Sequence, residues 1–67
     1  MKRLTIRELA TLNWIKNDKT NLEISLIMDV SERTVRFHVE NIFAKLNVSS
    51  RAQAVVSAIE HGLPNVV

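Results

Sequence analysis

Sixty-seven residues leave room for one domain with one small core. With no Cys and only two His, neither a disulfide nor a structural zinc site can support that core, so stability has to come from packed helices or from association. Nine Lys/Arg against seven Asp/Glu give a net charge of +2, a sign compatible with nucleic acid but uninformative alone, and one Gly with one Pro disfavours an all-β or nucleotide-binding chain.

In chain order, Met1-Lys2-Arg3 opens like a secretion signal, but Thr5, Arg7 and Glu8 interrupt any apolar run behind it. No stretch approaches the roughly 18–20 apolar residues that span a bilayer. The lack of Cys suits a reducing compartment, and a cytoplasmic location is expected. Thr5-Ile6-Arg7-Glu8 has the pattern of a capping box, in which a hydroxyl and a carboxylate each satisfy a free amide at a helix start. It predicts a first helix over about 6–17, with Leu12 and Ile15 inward, Leu9 and Thr11 beside them, and Trp14 over the core edge. Thr20-Asn21-Leu22-Glu23 is a second box and opens a helix over about 21–28, with Ile24, Ile27 and Met28 facing in. Ser31 caps a third helix over about 32–46. Ser50-Arg51-Ala52-Gln53 is a third box, opening a helix over about 51–61 that Gly62 and Pro64 stop. The links are two to four residues long, so residues 1–67 are read as one all-α domain of four helices, with no strand and no low-complexity segment.

The short second helix, a tight turn at Asp29-Val30-Ser31 and the longer third helix have the outline of a helix-turn-helix. Val30 is the apolar plug of that turn, and Asp29 stands where a left-handed backbone is often needed. At roughly 100° per residue, Val35, Val39, Ile42 and Leu46 form one narrow core stripe. Arg33, Phe37, Glu40 and Ala44 fall opposite, with Arg36 and Asn41 on the flanks. An outward aromatic between arginines fits a helix entering the major groove of DNA. Arg36 suits a guanine edge or a phosphate, Phe37 a thymine methyl, and Glu40 is tolerable only where it accepts from a cytosine amino group. Arg33, Thr34, His38, Asn41 and Lys45 are then the expected backbone contacts. The competing reading is a solvated face with an incidental Phe.

These residues resemble a known family. Leu4-Thr5-x-Arg7-Glu8, Asn21-x-Glu23-Ile24, Val30-Ser31-x-Arg33-Thr34-Val35-Arg36-x-His38 with Asn41-Ile42, and Lys45-Leu46-x-Val48 with Arg51 and Ala54 are similar to the LuxR/GerE-type helix-turn-helix domain. The resemblance runs from about Leu4 to Leu63 and implies a four-helix domain of a bacterial transcription regulator. It implies base contacts from Arg36, Phe37 and Glu40 and backbone contacts from near Ser31, Thr34, His38 and Lys45, with dimers formed through the last helix. RNA polymerase is a further expected partner. Departures are Ile6 for a common Pro, Ala10 for a common Glu, and Asp18, Asp29 and Asn47 for frequent glycines at helix ends. Those last three are the next-best residues there.

From Arg51 to His61 the apolar residues cover roughly 200° of the helical wheel, more than packing requires. Ala54, Val55 and Ala58 are the expected core side, leaving Ala52, Val56 and Ile59 for a dimer partner or for extra core. Glu8 shares a face with Leu12 and Ile15 and is read either as a cap alone or as a half-buried cap paired with Arg51. No catalytic set is legible: Ser31 and Ser50 are accounted for as caps and no Ser–His–acid arrangement appears, so no enzyme is expected. His38 and His61 lack acidic or thiol companions, and neither a metal nor a cofactor is expected; His61 is placed to meet free helix-end carbonyls. Two other functions fit the same helices: a sigma-factor-like promoter-recognition module, and a protein-interaction module using Phe37 and the fourth helix.

Overall fold

A computed structural model describes residues 3–63. Within them lie α1 (Ile6–Lys16), α2 (Asn21–Met28), α3 (Glu32–Leu46) and α4 (Arg51–Glu60), and no strand occurs among the described residues. All four helices form at the expected places; α1 and α4 each stop one residue earlier than the sequence indicates. Lys2 and the stop assigned to Pro64 lie outside the described residues.

The starts follow the side-chain chemistry. Thr5 Oγ1 accepts from the Glu8 amide at 3.1 Å while Glu8 Oε1 accepts from the Thr5 amide at 2.9 Å, and Thr20 and Glu23 repeat both distances. Each box satisfies two amides that a helix start leaves free. Ser31 Oγ accepts from the Thr34 amide at 3.1 Å. The third box is only half formed. Ser50 Oγ accepts from the Gln53 amide, but Gln53 Oε1 reaches one residue further back, to the amide and hydroxyl of Ser49.

The ends share one device. Asp18, Asp29, Asn47 and Gly62 have φ of 62°, 56°, 57° and 65°. After each, the next amide donates to the carbonyl five residues back: Lys19 to Trp14, Val30 to Ser25, Val48 to Phe43 and Leu63 to Ala58. This is the Schellman closure, and Asp and Asn carry the left-handed residue in three of four cases because they tolerate it better than other non-glycine residues. Val30, Val48 and Leu63 then fold back against the core, the hydrophobic contact that accompanies such an ending.

α3 is the hub, packed against α1, α2 and α4. Val35, Val39, Ile42 and Leu46 are all buried, as their spacing predicts, and meet Leu4, Leu12, Ile15, Ile24, Ala54 and Ala58. Trp14 lies half-buried at the edge. Two inward assignments change. Ile27 is 47% exposed, because α2 turns the face carrying Ile24, Ser25 and Met28 to the core and Ile27 falls off that arc. On α4, Ser57 is buried between Ala54 and Ala58 while Val55 is only partly covered.

Candidate nucleic-acid interface

With its apolar stripe consumed by three neighbouring helices, α3 turns its remaining surface outward. Arg33, Arg36, Phe37, Glu40 and Ala44 are all exposed. Phe37 is 60% exposed, and its ring is tilted 53° to that of His38 with centroids 6.1 Å apart. Thr34, His38, Asn41 and Lys45 recur at helical spacing along one flank, and all four are half-buried. Ser31 and Thr34 share a hydroxyl–hydroxyl hydrogen bond of 2.9 Å, so one hydroxyl hydrogen is used between them and one is left for an outside acceptor. The structure therefore brings the residues expected at base edges onto one outer face, with Arg33 among them, and the other α3 residues expected at the backbone along one flank.

The flank holds a contact that spacing did not reveal. Lys45 Nζ donates to Glu8 Oε1 at 2.7 Å, across 37 residues of chain. Glu8 is not a cap alone: it is only 4% exposed and paired, and its partner is Lys45 and not Arg51. Burial pushes the Glu8 carboxyl up, while the hydrogen bonds from Lys45 and the Thr5 amide and the charge of Lys45 pull it down; the balance lies below the usual carboxylate value. Glu23, in the exposed box of α2, is also held below that value, chiefly by the Thr20 amide.

Arg51 is committed elsewhere. Its guanidinium donates to Asn21 Oδ1 and to the Lys19 carbonyl, both at 2.7 Å, tying the start of α4 to the start of α2. A planar fork suits two acceptors at once, which a lysine would not match. Sequence spacing could not choose between Arg51 and Lys45 for Glu8, because both pairings are long-range and depend on how α1 lies across α3.

On α4, Ala52, Val56 and Ile59 are exposed and are not taken into the core. Beside them a shallow groove is lined by Asn47, Val48, Ala52, Val56, Ser57 and Glu60. The His61 Nδ1–H donates to the Ser57 carbonyl at 2.8 Å, the helix-end contact expected of it. Unforeseen is the outer face of α2, where Leu22, Leu26 and Ile27 are exposed together. Among the described residues, no three His, Cys, Asp or Glu side chains gather as a metal site, and no helix is long and apolar enough to cross a membrane.

Comparison with known proteins places this arrangement. The family model described as bacterial regulatory proteins, luxR family, matches residues 2–58. The transcriptional activator protein SolR of Ralstonia solanacearum is 50% identical over 60 residues, which are 90% of this chain and 25% of that protein. The chain thus spans about a quarter of the length of the curated relatives it matches. Among solved structures, the transcription factor GerE superposes with a TM-score of 0.83 at 35% identity, covering 92% of each chain. The DNA-binding domain of the response regulator ComA, in its complex with the anti-activator RapF, gives 0.81 at 39% identity, covering 84% of this chain and 97% of the other.

Proposed function

Because the chain belongs to the luxR family of bacterial regulatory proteins and is a LuxR-type helix-turn-helix DNA-binding domain, we propose that α3 enters the major groove of double-stranded DNA and reads sequence through Arg36, Phe37 and Glu40. One observation carries the assignment: Phe37 stands exposed beside the two exposed arginines, on the side of α3 opposite its buried stripe. A side chain that only filled a core would be turned the other way. Arg36 supplies the fork for a guanine edge, Phe37 an apolar surface for a thymine methyl, and Glu40 an acceptor for a cytosine amino group. Ser31, Thr34, His38 and Asn41 beside that face, and Arg33 on it, contact the sugar–phosphate backbone, fixing register without reading bases. Lys45 was expected in the same set; its ammonium is engaged by Glu8.

One reading helix gives modest affinity, so the domain works as a homodimer, with the exposed α4 residues Ala52, Val56 and Ile59 as the contact. Two linked copies on spaced half-sites gain affinity through effective concentration. RNA polymerase is the proposed protein partner, a reading that rests on relatives named as transcriptional activators and for which Leu22, Leu26 and Ile27 of α2 offer an exposed apolar face. The working compartment is the bacterial cytoplasm, where the DNA is, and the chain acts as one domain without catalysis, metal or cofactor. A luxR-family regulator is not a member of an enzyme class.

Selecting bound duplexes from a random pool tests the reading. A recurring motif in two symmetric half-sites is the expected result. A pool that gains no motif removes sequence reading, and a motif without repeat removes the dimer.

A further inference from the structure

We propose that Glu8 sequesters Lys45 from DNA, so that α3 presents two free cations, Arg33 to phosphate and Arg36 to a base edge, and holds a third in reserve. This rests on the DNA-binding reading of α3. Lys45 belongs by position to the backbone-contacting flank, in helical register with Thr34, His38 and Asn41. Its ammonium lies 2.7 Å from Glu8 Oε1, with the lysine side chain 24% exposed and the glutamate side chain 5% exposed. The same oxygen accepts from the Thr5 amide at 2.9 Å, which fixes the carboxylate at the start of α1. For Lys45 to neutralise a phosphate its charge must be drawn away from a carboxylate that is out of water and cannot follow it. Removing one partner of a covered ion pair leaves an uncompensated charge, a state that folded proteins avoid. Among the described residues Arg33 and Arg36 make no ion pair. Arg33 releases counterions on meeting phosphate, whereas the Glu8–Lys45 pair is already neutral and releases none.

Glu8→Gln should then do the opposite of what loss of a buried acid ordinarily does, which is only to weaken a domain. The amide keeps an oxygen for the Thr5 amide but frees Lys45, and DNA binding should tighten. One added phosphate contact changes the slope of log affinity against log salt by about 0.9, which at about 0.1 M salt is up to roughly eightfold in affinity.

The experiment measures fluorescence anisotropy of a scrambled-sequence duplex with wild type, Glu8→Gln, Lys45→Gln and the double variant. Salt runs from about 50 to 200 mM, the range over which such contacts are lost, and circular dichroism confirms folding of each protein. Glu8→Gln is expected to bind several-fold tighter than wild type with the steeper slope, and the gain should vanish when Lys45 is also replaced. An unchanged slope in Glu8→Gln overturns the inference. So does an equal gain when Glu8→Gln is added to Lys45→Gln, which marks a general charge effect. Should Glu8→Gln not fold, Lys45→Gln alone decides: a wild-type slope supports sequestration, and a slope shallower by about one shows Lys45 already on phosphate. Wild type that binds no duplex at any salt would instead bring down the DNA-binding reading, and the inference with it.

Discussion

Ile42 and Phe37 sit on the same helix with opposite fates, so truncating each to alanine separates stability from recognition. Ile42 is wholly buried where α3 meets its neighbours, and Ile→Ala at such a site costs about 2–5 kcal/mol through lost transfer energy and the cavity left behind. At about 0.05–0.15 kcal/mol per residue, a chain of 67 residues has roughly 3–10 kcal/mol in total, so this one change consumes a large share. With about 4–8 °C of midpoint per kcal/mol for a domain of this size, a loss of about 3 kcal/mol lowers the melting temperature by about 12–24 °C. Phe37 is 60% exposed, and its truncation should cost within about 1 kcal/mol. Binding should show the reverse. Phe37→Ala loses about 1–3 kcal/mol of discrimination between the selected duplex and a scrambled one, about 5- to 150-fold. Ile42→Ala keeps discrimination when assayed well below its own midpoint. Circular dichroism melts and anisotropy titrations on the two variants check both halves. Equal melting losses, or a Phe37→Ala protein that discriminates as wild type does, would refute the assignment of the two faces.

Three further outcomes follow from the same geometry. The Glu8 and Glu23 carboxyls lie below the usual carboxylate value in the folded domain, so their stabilisation is present above the unfolded value, about pH 4.3, and is lost as pH falls through the folded values. Melting temperature should hold from neutral to about pH 5 and decline below it, and Glu8→Gln should flatten part of that decline; an identical acid profile in the variant would contradict the assignment. At Asp29, with φ of 56°, Gly should be neutral or stabilising by up to about 1 kcal/mol while Val costs about 1–2 kcal/mol in a thermal melt, because only the branched side chain meets the full left-handed penalty. Arg51→Ala removes two charge-assisted hydrogen bonds between the starts of α4 and α2 and should cost about 1–3 kcal/mol, with Lys recovering less than half in chemical denaturation.

What the sequence disclosed and what it hid divide along physical lines. Helix starts were legible because capping is local: Thr5 with Glu8 and Thr20 with Glu23 close within one turn. Asp18, Asp29 and Asn47 were legible as helix ends because few side chains accept a left-handed backbone. The stripe from Val35 to Leu46 fixed which way α3 faces, and hence which way Phe37 points. Ile27 misled because α2 spans only eight residues, too few for periodicity to centre its inner face. Ser57 was hidden because a serine between Ala54 and Ala58 carries no apolar signal, although it lies on their arc. The Glu8–Lys45 pair and the Arg51 fork join residues 30 or more positions apart, and only the packing of the helices decides which charge meets which.

If the outer face of α3 reads DNA, its own residues must respond to the sequence of the duplex. The most direct test of that reading is an amide NMR titration of the domain with the duplex recovered from selection. The largest shifts should fall on Arg36, Phe37 and Glu40, with smaller ones along Ser31, Thr34, His38 and Asn41, and should be absent with an equal amount of scrambled duplex at the same salt. Shifts concentrated on the α2 residues Leu22 and Leu26 or on the α4 residues Val56 and Ile59, with the face around Phe37 unmoved, would contradict it.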